Sequence, residues 1–208
     1  MKFKKPFVLG LFVLGLLSGC ASKKDITDQT ALYWHNAIYK DLNNMNLDAA
    51  DDEFTSLEIE HPNSQFVPID LLILSKAHLE NDEYQLAEFY MDEYAKRYAN
   101  KYEKEWADYQ KVKIRFFSLI NPYTNQKKVY QTLKFVNTIL DKYPDSIYNY
   151  ELTTIKRKLE VTQIVFDNRI SDLYKRLDKP KASEFYKRET KESIIYPEIP
   201  WYKKLFYW

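Results

Sequence analysis

The chain has 208 residues with 31 Lys and Arg against 30 Asp and Glu, a formal net charge of +1. That balance excludes an electrostatic nucleic-acid binder, which carries a clustered basic face, and a single cysteine excludes an intrachain disulfide. Only three glycines are present, against a usual share of about 7%, which points to helix nearly throughout and few tight turns.

The first element in the chain is a targeting segment. Lys2, Lys4 and Lys5 precede an uncharged run from Phe7 to Leu17, and the small residues Ser18 and Gly19 follow. Basic, apolar and small-residue zones in that order are a secretory signal. The run is shorter than the roughly 20 apolar residues that a settled membrane-spanning helix needs, so residues 1–19 are expected to be removed. The stretch Leu17-Ser18-Gly19-Cys20 looks like the lipobox of bacterial lipoproteins, in which the cysteine becomes the first residue of the mature chain and carries the lipid. A thiolate suits that chemistry because it is the nucleophilic form of the side chain, and small neighbours let a membrane-embedded peptidase reach the bond. In such lipoproteins an Asp just after the Cys resembles an inner-membrane retention mark; Ala21-Ser22 stand here, which points to the outer membrane. The mature chain keeps 28 Lys and Arg against 30 acids, a net charge of −2.

Residues 20–28 read as a polar tether, and residues 29–193 as one all-α domain. Apolar side chains recur at helical spacing from Ala31 through Trp34, Ala37, Ile38 and Leu42, then Ala49, Phe54 and Leu57. Breaks fall near 43–46, 61–64, 81–82, 121–123, 143–146 and 177–180. Asp82 with Gln85 three residues on suggests a capping-box start, and the lack of a breaker between Ser146 and Lys175 predicts one long helix.

The helices repeat. Ala50, Phe54, Leu57 and Pro62 stand at intervals of 4, 3 and 5, as do Thr132, Val136, Ile139 and Pro144, and Ala87, Met91, Tyr94 and Ala99; Ala182 and Tyr186 keep the first interval. These are the small, large, apolar and proline positions of the second helix (helix B) of a tetratricopeptide repeat, whose period is about 34 residues. Trp34 takes the position of the first helix (helix A) that prefers Trp. The expected fold is a tetratricopeptide-repeat-like helical solenoid of about four helix pairs. Residues 194–208 do not fit it, because Pro197 and Pro200 cannot continue a helix. This tail holds Trp201, Tyr202, Phe206 and Trp208, residue types that anchor interfaces; it is expected either to cap the last repeat or to dock on a partner.

Catalytic patterns are lacking. His35, His61 and His78 are the only histidines and none sits in H-E-x-x-H; there is no P-loop and no G-x-S-x-G. No cofactor and no metal site is expected, and a non-enzymatic role is favoured. The residues leave open a pilus-assembly or cell-division scaffold with similar repeats, and more remotely a lipoprotein acting on peptidoglycan.

A lipobox followed by divergent repeats, with Phe54–Ser64 and the block from Tyr143 to Tyr186, resembles the BamD family, lipoprotein subunits of the outer-membrane β-barrel assembly machinery. The resemblance covers roughly residues 17–192 and departs from the family in carrying four repeats rather than five. It implies a lipid-anchored scaffold on the periplasmic face of the outer membrane. It also implies docking on the BamA barrel subunit beside other assembly subunits, and receipt of unfolded outer-membrane proteins. A solenoid's inner face is a standing groove for an extended peptide, and the repeat register aims His35, Tyr39 and Lys76 into it. Aromatics would hold the alternating side chains of a barrel strand, and the Lys a terminal carboxylate.

Overall fold

The computed structural model describes residues 28–119 and 125–191. The signal segment, Cys20, residues 120–124 and the tail residues Trp201, Tyr202, Phe206 and Trp208 lie outside the described residues. Within them are eight α-helices and no strand: α1 (Ala31–Asn43), α2 (Leu47–Glu60), α3 (Phe66–Glu80), α4 (Tyr84–Arg97), α5 (Lys101–Phe117), α6 (Gln126–Lys142), α7 (Asn149–Arg176) and α8 (Pro180–Lys191). The expected breaks near 43–46, 61–64, 81–82, 143–146 and 177–180 fall between these helices, the one near 121–123 lies outside the described residues, and the long helix is α7, 28 residues.

The repeat register holds. Ala50, Phe54 and Leu57 on α2, Ala87, Met91 and Tyr94 on α4, and Thr132, Val136 and Ile139 on α6 are all buried. Ala50 and Ala87 have no exposed surface, so backbone lies where a larger side chain would need space. Trp34 is buried with Ile38 on α1. Odd-numbered helices act as helix A and even-numbered ones as helix B. Extensive packing joins α1 to α2, α3 to α4 and α7 to α8.

Three turns from helix A to helix B are built alike without a glycine. Met45 (φ 58°), Asp82 (φ 62°) and Asp178 (φ 54°) each take the left-handed region. In each case the next amide reaches back to a carbonyl five residues earlier: Asn46 to Asp41, Glu83 to His78 and Lys179 to Tyr174. This is a Schellman closure, in which the left-handed residue lets the turn satisfy the helix's last carbonyls. A side chain there carries a steric cost that glycine avoids, and three repeats accept it. At Asp82 the sequence expectation is corrected. The residue lies outside helix α4, whose N-cap is Glu83 without a side-chain cap, and Asp82 instead accepts from the Tyr84 hydroxyl at 2.6 Å. The capping box sits at Asn100 and Glu103, opening α5.

A buried histidine ties the first two repeats together. His78 is 1% exposed and donates from Nδ1 to Glu83 Oε2 at 2.5 Å and from Nε2 to Asp51 Oδ1 at 3.0 Å. Its ring stacks on Tyr90 at 5.3 Å, and the Tyr90 hydroxyl donates to the same Asp51 oxygen at 2.7 Å. Three helices thus meet on one imidazole.

Two cores result. One runs from Trp34 to Ile114 through the first two repeats; the other runs from Tyr109 to Phe166 through the last two. Helix α5 serves both, giving Ala107 and Ile114 to the first and Tyr109 and Val112 to the second, while Trp106 borders each. A charged knot secures the junction: Asp108 accepts from Lys142 at 2.7 Å, Tyr143 at 3.0 Å and Lys111 at 2.9 Å. Burial alone would raise the Asp108 carboxyl, but the bonds from Lys142 and Lys111 outweigh it and hold it below the ordinary range.

Two predictions arise from this packing. Replacing Ala50 or Ala87 by Leu is expected to cost on the order of 1–3 kcal/mol by overpacking, read from circular dichroism melts; wild-type melts for both variants would refute the register. For His78, burial works against the charge, yet the bonds to Asp51 and Glu83 prevail and raise its pKa above 6.5. The folded state therefore holds the proton more tightly, so the stabilisation is full below the unfolded value and is lost as pH rises through the folded one. Melting temperatures of wild type and His78→Gln are expected to differ more near about pH 6 than near about pH 8.5.

Candidate peptide groove

The inner face is made by the A helices. Helix α1 packs on α3 and α5 on α7, while the B helices α2 and α4 meet through side chains, the Tyr90–Asp51 hydrogen bond and the Phe54–Tyr90 ring contact. Phe66-Val67-Pro68-Ile69-Asp70-Leu71-Leu72-Ile73-Leu74 opens α3, and this almost wholly apolar run lets α3 bury one face on α2 and α4 and lend another to α1.

His35 sits at the α1–α3 seam. Its ring stacks on Phe66, centroids 4.5 Å apart and planes 15° apart, and Nδ1–H donates to Asp70 Oδ1 at 2.7 Å. Tyr39 lies one turn further along α1, its ring 6.1 Å from that of His35, and it is exposed. Lys76 falls on the stripe Ile69, Ile73, Lys76 of α3, fully in solvent and 3.7 Å from Glu80. The structure therefore joins His35 and Tyr39 with Phe66, while Lys76 stands apart, about 9 Å along the helix from Asp70 at 1.5 Å per residue. His35 is half-buried, a floor residue of the groove rather than a free side chain.

Asp70 was not among the expected residues. Its residue surface is fully buried and Oδ2 has no hydrogen-bond partner. Burial pushes the carboxyl up to about 6, against the opposing pull of the His35 hydrogen bond. The signal in the sequence was a lone acid inside nine otherwise apolar or proline residues. A buried acid thus lies beside a half-buried imidazole, with Tyr39 and Ile69 exposed on the same two helices, so the α1–α3 seam presents aromatic and apolar side chains over a buried polar pair.

A second concavity lies between the repeats. Helix α6 packs chiefly on α7 and meets α5 far less closely than the members of the other pairs meet each other. The gap is a cleft of about 580 Å³ lined in part by Tyr84, Glu88, Arg115, Lys134 and Phe135. Arg115 pairs with Glu88, Nε to Oε1 at 2.7 Å, and its guanidinium lies 3.8 Å from the centre of the Phe135 ring. Among the described residues no group of three or more His, Cys, Asp or Glu could hold a metal ion, and no helix is long and apolar enough to cross a membrane.

The family model YfiO, outer membrane lipoprotein, matches residues 27–177, from the foot of α1 to the end of α7. The chain belongs to this family of outer membrane lipoproteins. The outer membrane protein assembly factor BamD of Helicobacter pylori is 30% identical to it over 215 aligned positions, covering 99% of this chain and 98% of that protein. The YfiO match thus spans seven of the eight helices, groove included.

Asp70 allows a test of the floor. Its raised pKa means that the folded state binds the proton more tightly than the unfolded state, so wild-type stability declines as pH rises from about 3.8 to about 6. Asp70→Asn keeps an acceptor for His35 and removes the buried charge. The variant's stability relative to wild type is expected to rise by on the order of 2–3 kcal/mol between about pH 4 and pH 8 in denaturant titrations; an unchanged difference would mean that Asp70 is solvated.

Proposed function

We propose that this lipoprotein is a non-catalytic scaffold for assembling β-barrel proteins into the outer membrane, anchored on the periplasmic face by lipid on Cys20. The observation that carries this reading is the 30% identity, end to end, with the assembly factor of Helicobacter pylori. The aromatic seam between α1 and α3 supports it physically. His35, Tyr39 and Phe66 offer ring faces to the alternating aromatic side chains of an unfolded barrel strand, and Lys76 stands where it can meet a carboxylate further along. In the same reading the chain docks on a BamA-like barrel subunit beside other assembly subunits, and the aromatic tail with Trp201, Tyr202, Phe206 and Trp208 contributes to that docking.

The test is purification of the chain from membranes, with identification of its partners and mass measurement of its N-terminus. A barrel protein as the dominant partner and a mature chain starting at Cys20, heavier by its lipid, are the expected results. Cys20→Ala is expected to leave an uncleaved or soluble species. Pilus or cell-division components as dominant partners would replace the reading with another repeat-lipoprotein scaffold.

A further inference from the structure

The tether enters the fold at a fixed point. The amides of Asp28 and Gln29 donate to the Glu60 carboxylate at 3.3 and 3.2 Å, and the Trp34 indole N–H donates to it at 2.8 Å. His61 Nε2–H donates to the Gln29 carbonyl at 2.6 Å. Led by the Trp34 bond, these contacts hold the Glu60 carboxyl below its ordinary range. Residue 28 is therefore pinned to the end of α2, at the edge of the solenoid where B helices end and the next A helices begin. Eight residues separate it from Cys20, and a fully extended chain covers at most about 3.6 Å per residue, or about 29 Å. If Cys20 bears the lipid, this edge of the first repeat cannot stand farther than that from the bilayer.

The same edge carries the most exposed apolar side chains of the described residues. Tyr150 is 86% exposed, Ile147 84%, Tyr102 79% and Ile59 75%, followed by Met45 at 74%. Four of these five lie where a B helix hands over to an A helix: Ile59 in the last turn of α2, Tyr102 in the first turn of α5, and Ile147 and Tyr150 around the start of α7. Only Met45 lies on the opposite edge. Scattered apolar residues are ordinary on a protein surface, but here the greatest exposure gathers on the side to which the anchor ties the molecule. Nearby charges are of both signs, Lys101 and Lys104 beside Tyr102, Asp141 and Asp145 before Ile147, so attraction to anionic lipid is not the driving term. Tyrosine rings with isoleucines suit the headgroup boundary, where an apolar body and a polar tip are both accommodated.

We propose that this handover edge, through Ile59, Tyr102, Ile147 and Tyr150, rests on the phospholipid surface that holds the chain's own lipid. The proposal depends on the Cys20 anchor proposed above but on no partner. It orients the solenoid edge-on to the membrane, with its inner face running alongside the bilayer.

The chain's single cysteine makes the test direct, because a lipidated Cys20 leaves an introduced thiol as the one free sulfhydryl. Full-length lipidated Tyr102→Cys, Tyr150→Cys and Met45→Cys, each spin-labelled, would be reconstituted alone into phosphatidylethanolamine–phosphatidylglycerol vesicles. Labels at 102 and 150 are expected to collide more with oxygen, enriched in lipid, than with a water-soluble nickel chelate, and the label at 45 to do the reverse. The pattern is expected to persist when salt is raised. Protein that floats with the vesicles while all three labels favour the chelate would overturn the proposal. So would protection of 102 and 150 that develops only when a barrel partner is added, since a protein surface then covers the edge. Unlabelled chain that does not float at all would remove the anchor, and this orientation with it.

Discussion

His78 has carboxylates on both ring nitrogens, Asp51 from α2 and Glu83 from the start of α4, with Tyr90 stacked on its face and bonded to Asp51. A neutral imidazole has one N–H and cannot donate twice, so with both carboxylates ionised the arrangement is that of the imidazolium, which these partners favour. The register of the first two repeats follows from it. It places α3 against α2 and α4 at a fixed height, which sets Phe66 and Asp70 opposite His35 on α1. The segment of α3 that meets α1 and the charged clamp thus belong to one helix. Removing one partner of such a buried group leaves the other charge unmatched, which costs more than the pair contributes.

The last two repeats use a different device. Asp108 is held by Lys111, Lys142 and Tyr143, and Tyr109 stacks on Tyr148 at 4.4 Å while bonding to Glu151. The Asp108 contacts fasten the end of α6 to α5, those of Tyr109 fasten the start of α7 to it, and Lys128 at the start of α6 donates to the Ser118 carbonyl at the end of α5 at 2.9 Å. Between these ties Arg115, stacked on Phe135, lines the cleft. The two halves are alike in backbone pattern and unlike in how polar side chains close them.

Much of this was legible in the sequence because repeat packing is local. A small residue at Ala50 or Ala87, a large apolar residue four residues later and a proline at two of the handovers, Pro62 and Pro144, each have a one-dimensional signature, and the buried positions fell where those intervals put them. The long helix α7 was legible for the same reason. The groove was only partly so. His35 and Tyr39 share a helix face and were found together, but the partner of His35 is Asp70, 35 residues away, and periodicity does not pair residues across helices. Lys76 lies six residues on from Asp70 along the same helix, and spacing along a helix says little about height relative to a neighbour. The capping box expected at Asp82 failed because the left-handed turn displaced the helix start to Tyr84 and committed Glu83 to His78. The opening between α5 and α6 has no local signature.

Among the described residues, helix α5 is the only element that divides its burial between the two cores. In a linear array each unit is stabilised by its own interior and by its neighbours, so the weakest seam decides how far an opening spreads. If the last two repeats open, α5 keeps Ala107 and Ile114 covered and its amides stay protected; if the first two open, Tyr109 and Val112 hold it in place. Backbone amide exchange would accordingly sort this protein into two blocks with α5 the slowest to exchange in both, which makes that helix the hinge-pin of the molecule's fluctuations rather than a point of weakness.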